Sequence, residues 1–358
     1  MKVHILYDFE SNRGGGNQFL KTIKEYFLQN DVYARYAQDA DVILFNSHHC
    51  IRQLTYLKYR FPQKICIHRV DGPMRLYNHG RDRRDDVVGL ASAVLADGTI
   101  FQSQWSKEEN LKSARFKEDF YTVIMNAPDG KLFNRNGKVL FLRNKKIRLV
   151  AVSWSDNWKK GFEIYKWLDA NLNFNKYEMF FIGRSPVPFQ NIIHIPHADS
   201  EQVAMELKRS DIYITASQKD PCSNALLEAM HCGLPAVAYA DGGHPEIVGG
   251  GGELFRQPTE IHALLEKIVN NYDAYQSKIA VPPLQEVGTQ YYRFCQKIFG
   301  QIRQGNLPAK SVSVAAYLKI LLSLSWWKLE EMAQSAVKSR KGVGDAQKEI
   351  TAQAHSRV

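Results

Sequence analysis

The feature that most constrains the fold is the alternation of short apolar runs with amphipathic stretches. VHILY, DVILFN and KICIHRV are apolar runs of strand length, and FLKTIKEYFLQ between the first two has the spacing of an amphipathic helix. Strands that alternate with helices form βαβ units with a parallel sheet. A second series starts at IRLVAVSW and continues through YEMFFIG, DIYITAS and PAVAYAD. The sequence therefore predicts an α/β protein with two parallel sheets.

A polar and basic stretch, NRNGKVLFLRNKK, separates the two series, and we place the domain boundary there, near residue 140. A chain of 358 residues suits two domains, because a domain takes roughly 100–200 residues. Residues 1–140 then form an N-terminal domain and residues 141–285 a C-terminal domain. Beyond these, residues 286–304 are expected to form one helix, and residues 305–358 an apolar helix followed by a polar tail.

The composition indicates where in the cell the protein acts, and says less about its function. The start, MKVHILYDFE, is too short in its apolar run for a signal peptide and reads as a strand. The five cysteines are an odd number without C-x-x-C spacing, which argues against a disulfide framework and a structural zinc site. We therefore expect a cytoplasmic protein. The formal net charge of +10 would attract phosphates, anionic lipids or nucleic acid, and it does not distinguish among them.

The most informative stretch is YITASQKDPCSNALLEAMHCG, which starts at residue 213. A strand ends in a loop that carries Asp220, and a helix begins near Pro221 to Asn224, with Glu228 about one turn inside it. Asn224 and Ala225, in the first part of this helix, are candidate contacts to the donor. This order places Asp220, the free N–H groups of the helix start and Glu228 at the carboxyl edge of a parallel sheet, where ligands bind. A helix N-terminus also supplies the unpaired donors and positive dipole that hold a diphosphate.

The next strand, PAVAYAD, is followed by a pair of glycines and a second short helix. Gly242 and Gly243 lack a Cβ, so the backbone can approach a substrate closely there. Pro245 suits the first turn of a helix, which carries Glu246. Taken singly, these glycines and acids are typical of turns and solvated helix faces. Their combination indicates a binding site.

Residues 213–254 resemble the donor-binding region of the family 4 (group 1) glycosyltransferases of GT-B fold. In that family an acid, seven intervening residues and a Glu precede an AMACGxPVVA-like strand and a GGxxE turn. Asp220 and Glu228 have this spacing, and EAMHCGLPAVA and GGHPEIV stand for the other two elements. The resemblance implies two Rossmann-like domains that face a central cleft, with a C-terminal helical tail in which residues 286–304 return to the N-terminal domain.

The resemblance also implies roles for residues of the second domain. Glu228 would accept hydrogen bonds from the ribose of the nucleotide, and Asp220, where the family usually has Glu, would meet the hydroxyls of the donor sugar. Lys160, which precedes a glycine in VSWSDNWKKGFEIY, corresponds to the lysine that holds the donor phosphates. Ser155 stands where the family usually has an arginine. Arg184, in FFIGRSP, is a candidate contact to the nucleotide.

In the first domain the resemblance is patchier. Gly15 and Gly16 belong to the glycine-rich loop ESNRGGGNQF, which starts at Glu10 and follows the first strand, and would approach the donor from the other side of the cleft. An NAD fingerprint would need a glycine where Phe19 stands, so an NAD oxidoreductase is disfavoured. His68 and Asp71 end the strand KICIHRV, and they resemble the strand-end residues beside the donor sugar. For His68 a purely structural role remains the alternative.

The reaction implied is transfer of a sugar from a nucleotide diphosphate sugar to a hydroxyl acceptor, a glycan, glycolipid or polysaccharide precursor, with retention at the anomeric carbon. In this fold the leaving diphosphate takes the acceptor proton, so no metal or other cofactor is expected, and no nucleic acid partner either. Two alternatives stay open. One is a nucleotide-sugar-binding protein with weak or no turnover, and the other is a different GT-B enzyme such as an epimerase or phosphorylase.

The segment 312–329 is nearly all apolar and ends in Trp326 and Trp327. Its length is at the short limit for a membrane span and Lys319 interrupts it, so a span is disfavoured. It could lie in the interface of a membrane, which would make the protein peripheral at the inner face, or dock on its own protein or a second subunit. The charged run RDRRDD at 81–86 also has two interpretations: a solvated loop, or a contact to an acceptor phosphate.

Overall fold

Two parallel sheets, one in each half of the chain, form the framework of the computed structural model. It describes residues 1–332 except 10–14, 79, 81, 114–115 and 117–119. Residues 10–14 of the glycine-rich loop, Arg81 and the polar tail from residue 333 lie outside the described residues.

The first sheet has five parallel strands in the order β1-β2-β3-β4-β5. A single parallel bridge joins Tyr33 to Val3 on the other edge of β1. The chain thus passes to one side of β1 and then crosses to β2 on the other side, so the carboxyl ends of β1 and β2 form a switch point. The strands are β1 (Val3–Leu6), β2 (Val42–Asn46), β3 (Ile65–Val70), β4 (Gly98–Phe101) and β5 (Tyr121–Val123). The helices are α1 (Gly15–Gln29), α2 (Ile51–Arg60), α3 (Met74–Tyr77), α4 (Arg83–Val94) and α5 (Gln104–Leu111).

The second sheet has six parallel strands in the order β11-β10-β9-β6-β7-β8. This is the Rossmann order, with its switch point between β6 and β9. The strands are β6 (Ile147–Ser153), β7 (Tyr177–Gly183), β8 (Ile193–Ile195), β9 (Ile212–Thr215), β10 (Ala236–Tyr239) and β11 (Gly252–Phe255). The helices are α6 (Phe162–Asn171), α7 (Ser200–Arg209), α8 (Asn224–His231), α9 (His244–Val248), α10 (Ile261–Asn270) and α11 (Tyr272–Ser277).

Both sheets are buried on both faces, which explains the continuous apolar runs in the sequence. In β6, Leu149 and Ala151 pack into the core on one face, whereas Val150 and Val152 pack into the core on the other. The predicted boundary near residue 140 lies between β5 and β6. Phe133, however, is already buried in a core of the second domain, so the packing of that domain begins before residue 140.

Two further helices run along the first domain. The helix α12 (Leu284–Arg303) follows the second domain, and its Val287, Tyr291 and Ile298 are buried in the core around α1. A last helix, α13 (residues 314–332), lies on the opposite face of the first sheet, where Ile320 and Leu324 are buried beside α2 and α4. One face of the apolar segment therefore docks on its own protein. Within the described residues, no helix is long and apolar enough to cross a bilayer.

Candidate donor site between the two domains

A cavity of about 500 Å³ lies between the carboxyl ends of the two sheets. Each domain contributes to its walls because each switch point opens toward the other domain. Seven of the residues predicted for the site line this cavity: Gly16, Asp71, Ser155, Lys160, Asp220, Asn224 and Ala225.

Lys160 and Asp220 form an ion pair at the switch point of the second sheet. The Lys160 Nζ lies 3.1 Å from Asp220 Oδ2 and 3.3 Å from Ser217 Oγ. Burial disfavours both charges, but the mutual attraction outweighs it, so the pKa of Lys160 is raised and the pKa of Asp220 is lowered. Both groups are therefore charged at neutral pH, and the Lys160 cation is held at the cavity wall.

A short 3₁₀ turn after β6 fixes the position of Lys160. Asn157 accepts a hydrogen bond from the Lys159 N–H at 2.9 Å and starts the turn, and Gly161 ends it in the left-handed region at φ 86°. A Cβ on Gly161 would lie 2.3 Å from the Ala216 carbonyl oxygen, just after β9. The glycine thus lets the two switch-point loops touch, which brings Lys160 to Asp220.

We expect Gly161→Ala to lower the free energy of unfolding by roughly 3 kcal/mol, because it combines a left-handed backbone with a clash against backbone atoms. Gly137 is the matched control, since it also has a positive φ, 76°, but has open space around its Cβ position. Gly137→Ala should cost about 1 kcal/mol. Urea unfolding of the two variants measures the difference, and equal costs would contradict the close approach described for Gly161.

The loop that carries Asp220 is clamped from behind by the next strand–helix turn. Gly243 donates its N–H to the Asp220 carbonyl at 2.9 Å, and Lys219 donates to Asp241 through its backbone N–H at 3.1 Å. A Cβ on Gly243 would lie 2.4 Å from the Pro221 carbonyl oxygen. Gly243 was predicted to let the backbone approach the donor. Gly243 does not line the cavity, and its missing Cβ allows close packing of two loops, because that position faces Pro221.

The start of α8 points into the cavity. Ser223 caps the helix by accepting from the Leu226 N–H at 3.4 Å, and the next two residues, Asn224 and Ala225, line the wall. Glu228 follows one turn later, is half-buried and does not itself line the cavity. Burial raises the pKa of its carboxyl group to about 8. Among the described residues, none donates a hydrogen bond to this carboxylate or pairs with it, so its acceptor capacity is free for a ligand.

Asp71 is the centre of a polar network on the first-domain wall. It accepts hydrogen bonds from Ser47 Oγ at 2.8 Å, Arg69 Nη1 at 3.1 Å and Gln102 Nε2. Burial alone would raise its pKa, but the Arg69 charge and the donors from Ser47 and Gln102 lower it. One third of its side chain remains exposed in the cleft. Asp71 is thus an ionised acceptor with a fixed orientation.

Arg69 is the main residue of this network that the sequence did not reveal. It is fully buried, and its Nη2 donates to Asn126 Oδ1 at 2.8 Å. Asn126 in turn donates to Asn224 Oδ1 at 2.8 Å across the domain interface. A charged residue inside the strand KICIHRV was the available signal, because a buried arginine needs partners. The network links Asp71 to the start of α8.

The structure places two other predicted residues away from the cavity. His68 is fully buried, stacks on Phe45 at 4.2 Å, and its Nε2 lies 3.0 Å from the Ser47 carbonyl oxygen. Burial lowers its pKa to about 3, so it is neutral. The prediction that His68 lies beside the donor sugar is corrected, because strand alternation turns its side chain to the far face of the sheet. Arg184 is exposed at the end of β7 and does not line the cavity.

The two domains are also joined at the rim of the cleft. The carboxylate of Glu246, from α9, accepts from the backbone N–H groups of Gln104 and Trp105 at 2.8 and 2.9 Å. These groups are at the start of α5, so a carboxylate of the second domain caps a helix of the first. The two domains are therefore in direct contact at this rim. In the first domain, Gly15, which was also predicted for the site, is the first residue of α1. It directly precedes Gly16, which lines the wall of the cavity.

Residues 189–278 match the family model described as glycosyl transferases group 1. The matched segment contains Asp220, Glu228 and Glu246, so the match confirms the resemblance that those residues carry. No curated protein sequence matches the chain significantly.

Solved structures confirm the GT-B fold. Anabaena HepE in complex with UDP-glucose superposes with a TM-score of 0.61 at 14% identity, over 85% of this chain and 100% of that one. Sucrose-phosphate synthase from Thermosynechococcus elongatus has a TM-score of 0.59 at 14% identity, over 93% and 99%. The catalytic domain of starch synthase IV from Arabidopsis thaliana, bound to ADP and acarbose, has a TM-score of 0.56 at 12% identity, over 80% and 79%.

Proposed function

We propose that this protein is a retaining glycosyltransferase that moves a sugar from a nucleotide diphosphate sugar to a hydroxyl acceptor. The observation that carries the proposal is the convergence of Lys160, Asp220 and the start of α8 at the second switch point, facing Asp71 across the cavity. A cation beside a helix N-terminus suits a diphosphate. The two carboxylates suit the hydroxyls of a sugar.

The donor would lie along the second domain. Its diphosphate binds Lys160 and the first N–H groups of α8, and its ribose donates to the free carboxylate of Glu228 one turn away. The sugar then lies between Asp220 and Asp71. UDP-sugars are the first donors to test, because HepE was crystallised with UDP-glucose.

In the reaction, the bond between the anomeric carbon and the diphosphate oxygen breaks while the acceptor oxygen bonds to the same face of that carbon. The acceptor proton passes to the leaving diphosphate. Negative charge grows on the diphosphate, and Lys160 and the dipole of α8 stabilise it without metal. The two domains, which meet at the rim of the cleft, keep water away from the sugar cation that develops. Asp220 and Asp71 orient its hydroxyls.

The remaining parts of the proposal concern the acceptor and the location. The acceptor enters along the first domain, on the Asp71 side, and is a glycan, glycolipid or polysaccharide precursor. The protein acts in the cytoplasm.

The anomer of the product tests retention directly. Proton NMR of the first turnovers, with an α-linked donor and either an added acceptor or water, should show the α product before mutarotation. An initial β product would contradict retention. Turnover that requires inorganic phosphate would identify a phosphorylase instead, and binding without turnover would favour a nucleotide-sugar-binding protein.

A further inference from the structure

The helix α13 has a second apolar face that its own protein does not cover. Val314, Leu318, Leu322, Trp326 and Leu329 are each between 53% and 61% exposed. Their spacing of three or four residues places them on one side of the helix. A helix on a protein surface normally has one apolar stripe, which faces the core, and α13 already uses Ile320 and Leu324 for that purpose. The exposed stripe therefore needs another explanation.

The apolar stripe continues onto α2. Tyr59 lies against Tyr317 with ring centroids 5.3 Å apart, and Tyr56 and Tyr59 are 53% and 46% exposed. Arg52 and Arg60 are exposed on the same helix. We define the tail-helix surface as the five exposed α13 residues together with Tyr56, Tyr59, Arg52 and Arg60. Aromatic rings and arginines beside an apolar stripe are the composition of a helix that lies in a membrane interface.

The charge distribution agrees with an anionic partner. Residues 1–140 and 286–358 contain 32 Lys and Arg against 21 Asp and Glu, whereas residues 141–285 contain 15 against 16. The positive charge therefore belongs to the domain and tail that carry the tail-helix surface. A second copy of the chain would bring the same arginines to the interface, and like charges oppose that contact.

The position of α13 relates this surface to the cleft. Trp327, near its end, contacts the ring of His48 at 5.2 Å. His48 follows Ser47, whose hydroxyl binds Asp71 at 2.8 Å. The C-terminal end of α13 therefore lies near the Asp71 side of the cavity.

We propose that the tail-helix surface docks on an anionic lipid bilayer and holds the first-domain rim of the cleft toward the membrane. This orientation would present the Asp71 side to a lipid-linked acceptor, and that consequence rests on the proposed function.

Flotation of the full chain with vesicles tests the docking. Wild type should bind vesicles of phosphatidylcholine with phosphatidylglycerol, and bind those of phosphatidylcholine alone about tenfold more weakly, because anionic lipid attracts the arginines. Leu318→Glu with Leu322→Glu should reduce binding to the anionic vesicles by at least about tenfold. Leu140→Glu with Leu142→Glu is the matched control on an exposed pair outside this surface, 81% and 45% exposed, and should bind like wild type.

Three results would overturn the docking proposal: no binding of wild type to anionic vesicles, equal binding by the two double variants, or a wild-type dimer that the Leu318→Glu, Leu322→Glu variant dissociates. Circular dichroism checks that both variants fold. The thermal shift produced by a donor should be the same in wild type and both variants. A thermal shift with donor but no vesicle binding would contradict the docking proposal alone. Vesicle binding without a thermal shift from any donor would contradict the proposed function alone.

Discussion

Replacing Lys160 with alanine should lower kcat/KM by roughly 10²–10³-fold, the usual cost of removing one preorganised donor to developing negative charge. The charge of Lys160 is fixed at the cavity wall by Asp220 and by Gly161 behind it. It should act more strongly on the transition state, where the diphosphate gains charge, than on the bound donor. The fall should therefore appear mainly in kcat.

Lys159 provides the matched control. Its Nζ lies 3.3 Å from Gln218 Oε1, and it does not line the cavity. Lys159→Ala should keep kcat/KM within about twofold of wild type, because a distant surface charge adds little. Steady-state assays of nucleoside diphosphate release measure both variants. Equal losses in the two would mean that the general charge of this loop matters, and that Lys160 has no specific phosphate contact.

Replacing Glu228 with glutamine should weaken donor binding and stabilise the free protein. A hydrogen bond to the ionised carboxylate is worth about 1.5–3 kcal/mol, so the dissociation constant should rise roughly 10–100-fold above pH 8, where Glu228 is ionised. The stability effect follows from the pKa of about 8, which lies above the ordinary value of 4.5. The folded protein holds this proton more tightly than the unfolded chain, so ionisation costs stability as the pH rises from 4.5 to 8.

Glutamine removes that cost. The variant should be as stable as wild type near pH 4.5 and more stable at pH 8, by roughly 2 kcal/mol once the solvent exposure of the half-buried group is allowed for. Melting curves across this pH range measure the difference. Glu201→Gln, at an exposed glutamate on α7, is the control for the loss of one negative charge. A constant difference at every pH would contradict the raised pKa.

The sequence predicts the second domain well because its signals are local. Asp220 and Glu228 belong to consecutive elements: a loop that follows a strand, and the first turns of the next helix. Their relative positions therefore depend on a short stretch of chain. Lys160 is equally local, since it follows β6 by a short turn. The structure brings these elements to one wall because the Rossmann order makes β6 and β9 neighbours.

What the sequence does not predict depends on strand parity and on contacts between domains. His68 and Arg69 are adjacent in β3, and the prediction chose the histidine. Because successive side chains of a strand point to opposite faces, His68 lies in the core on the far face of the sheet, and Arg69 lies beside Asp71 and Asn126. Gly243 likewise suggests a ligand approach, but its neighbour is Pro221, which no local pattern identifies. The capping of α5 by Glu246 requires both domains to be in place.

The most direct test of the donor site is a thermal-shift panel of UDP-, GDP-, ADP- and dTDP-sugars on wild type and Glu228→Gln. A ligand that binds the native state raises its melting temperature with concentration. We predict that, above pH 8 where Glu228 is ionised, one nucleotide class stabilises wild type and gives a clearly smaller shift with Glu228→Gln. Equal shifts in both proteins would contradict the ribose contact, and the absence of a shift with every donor would contradict a donor site in this cleft.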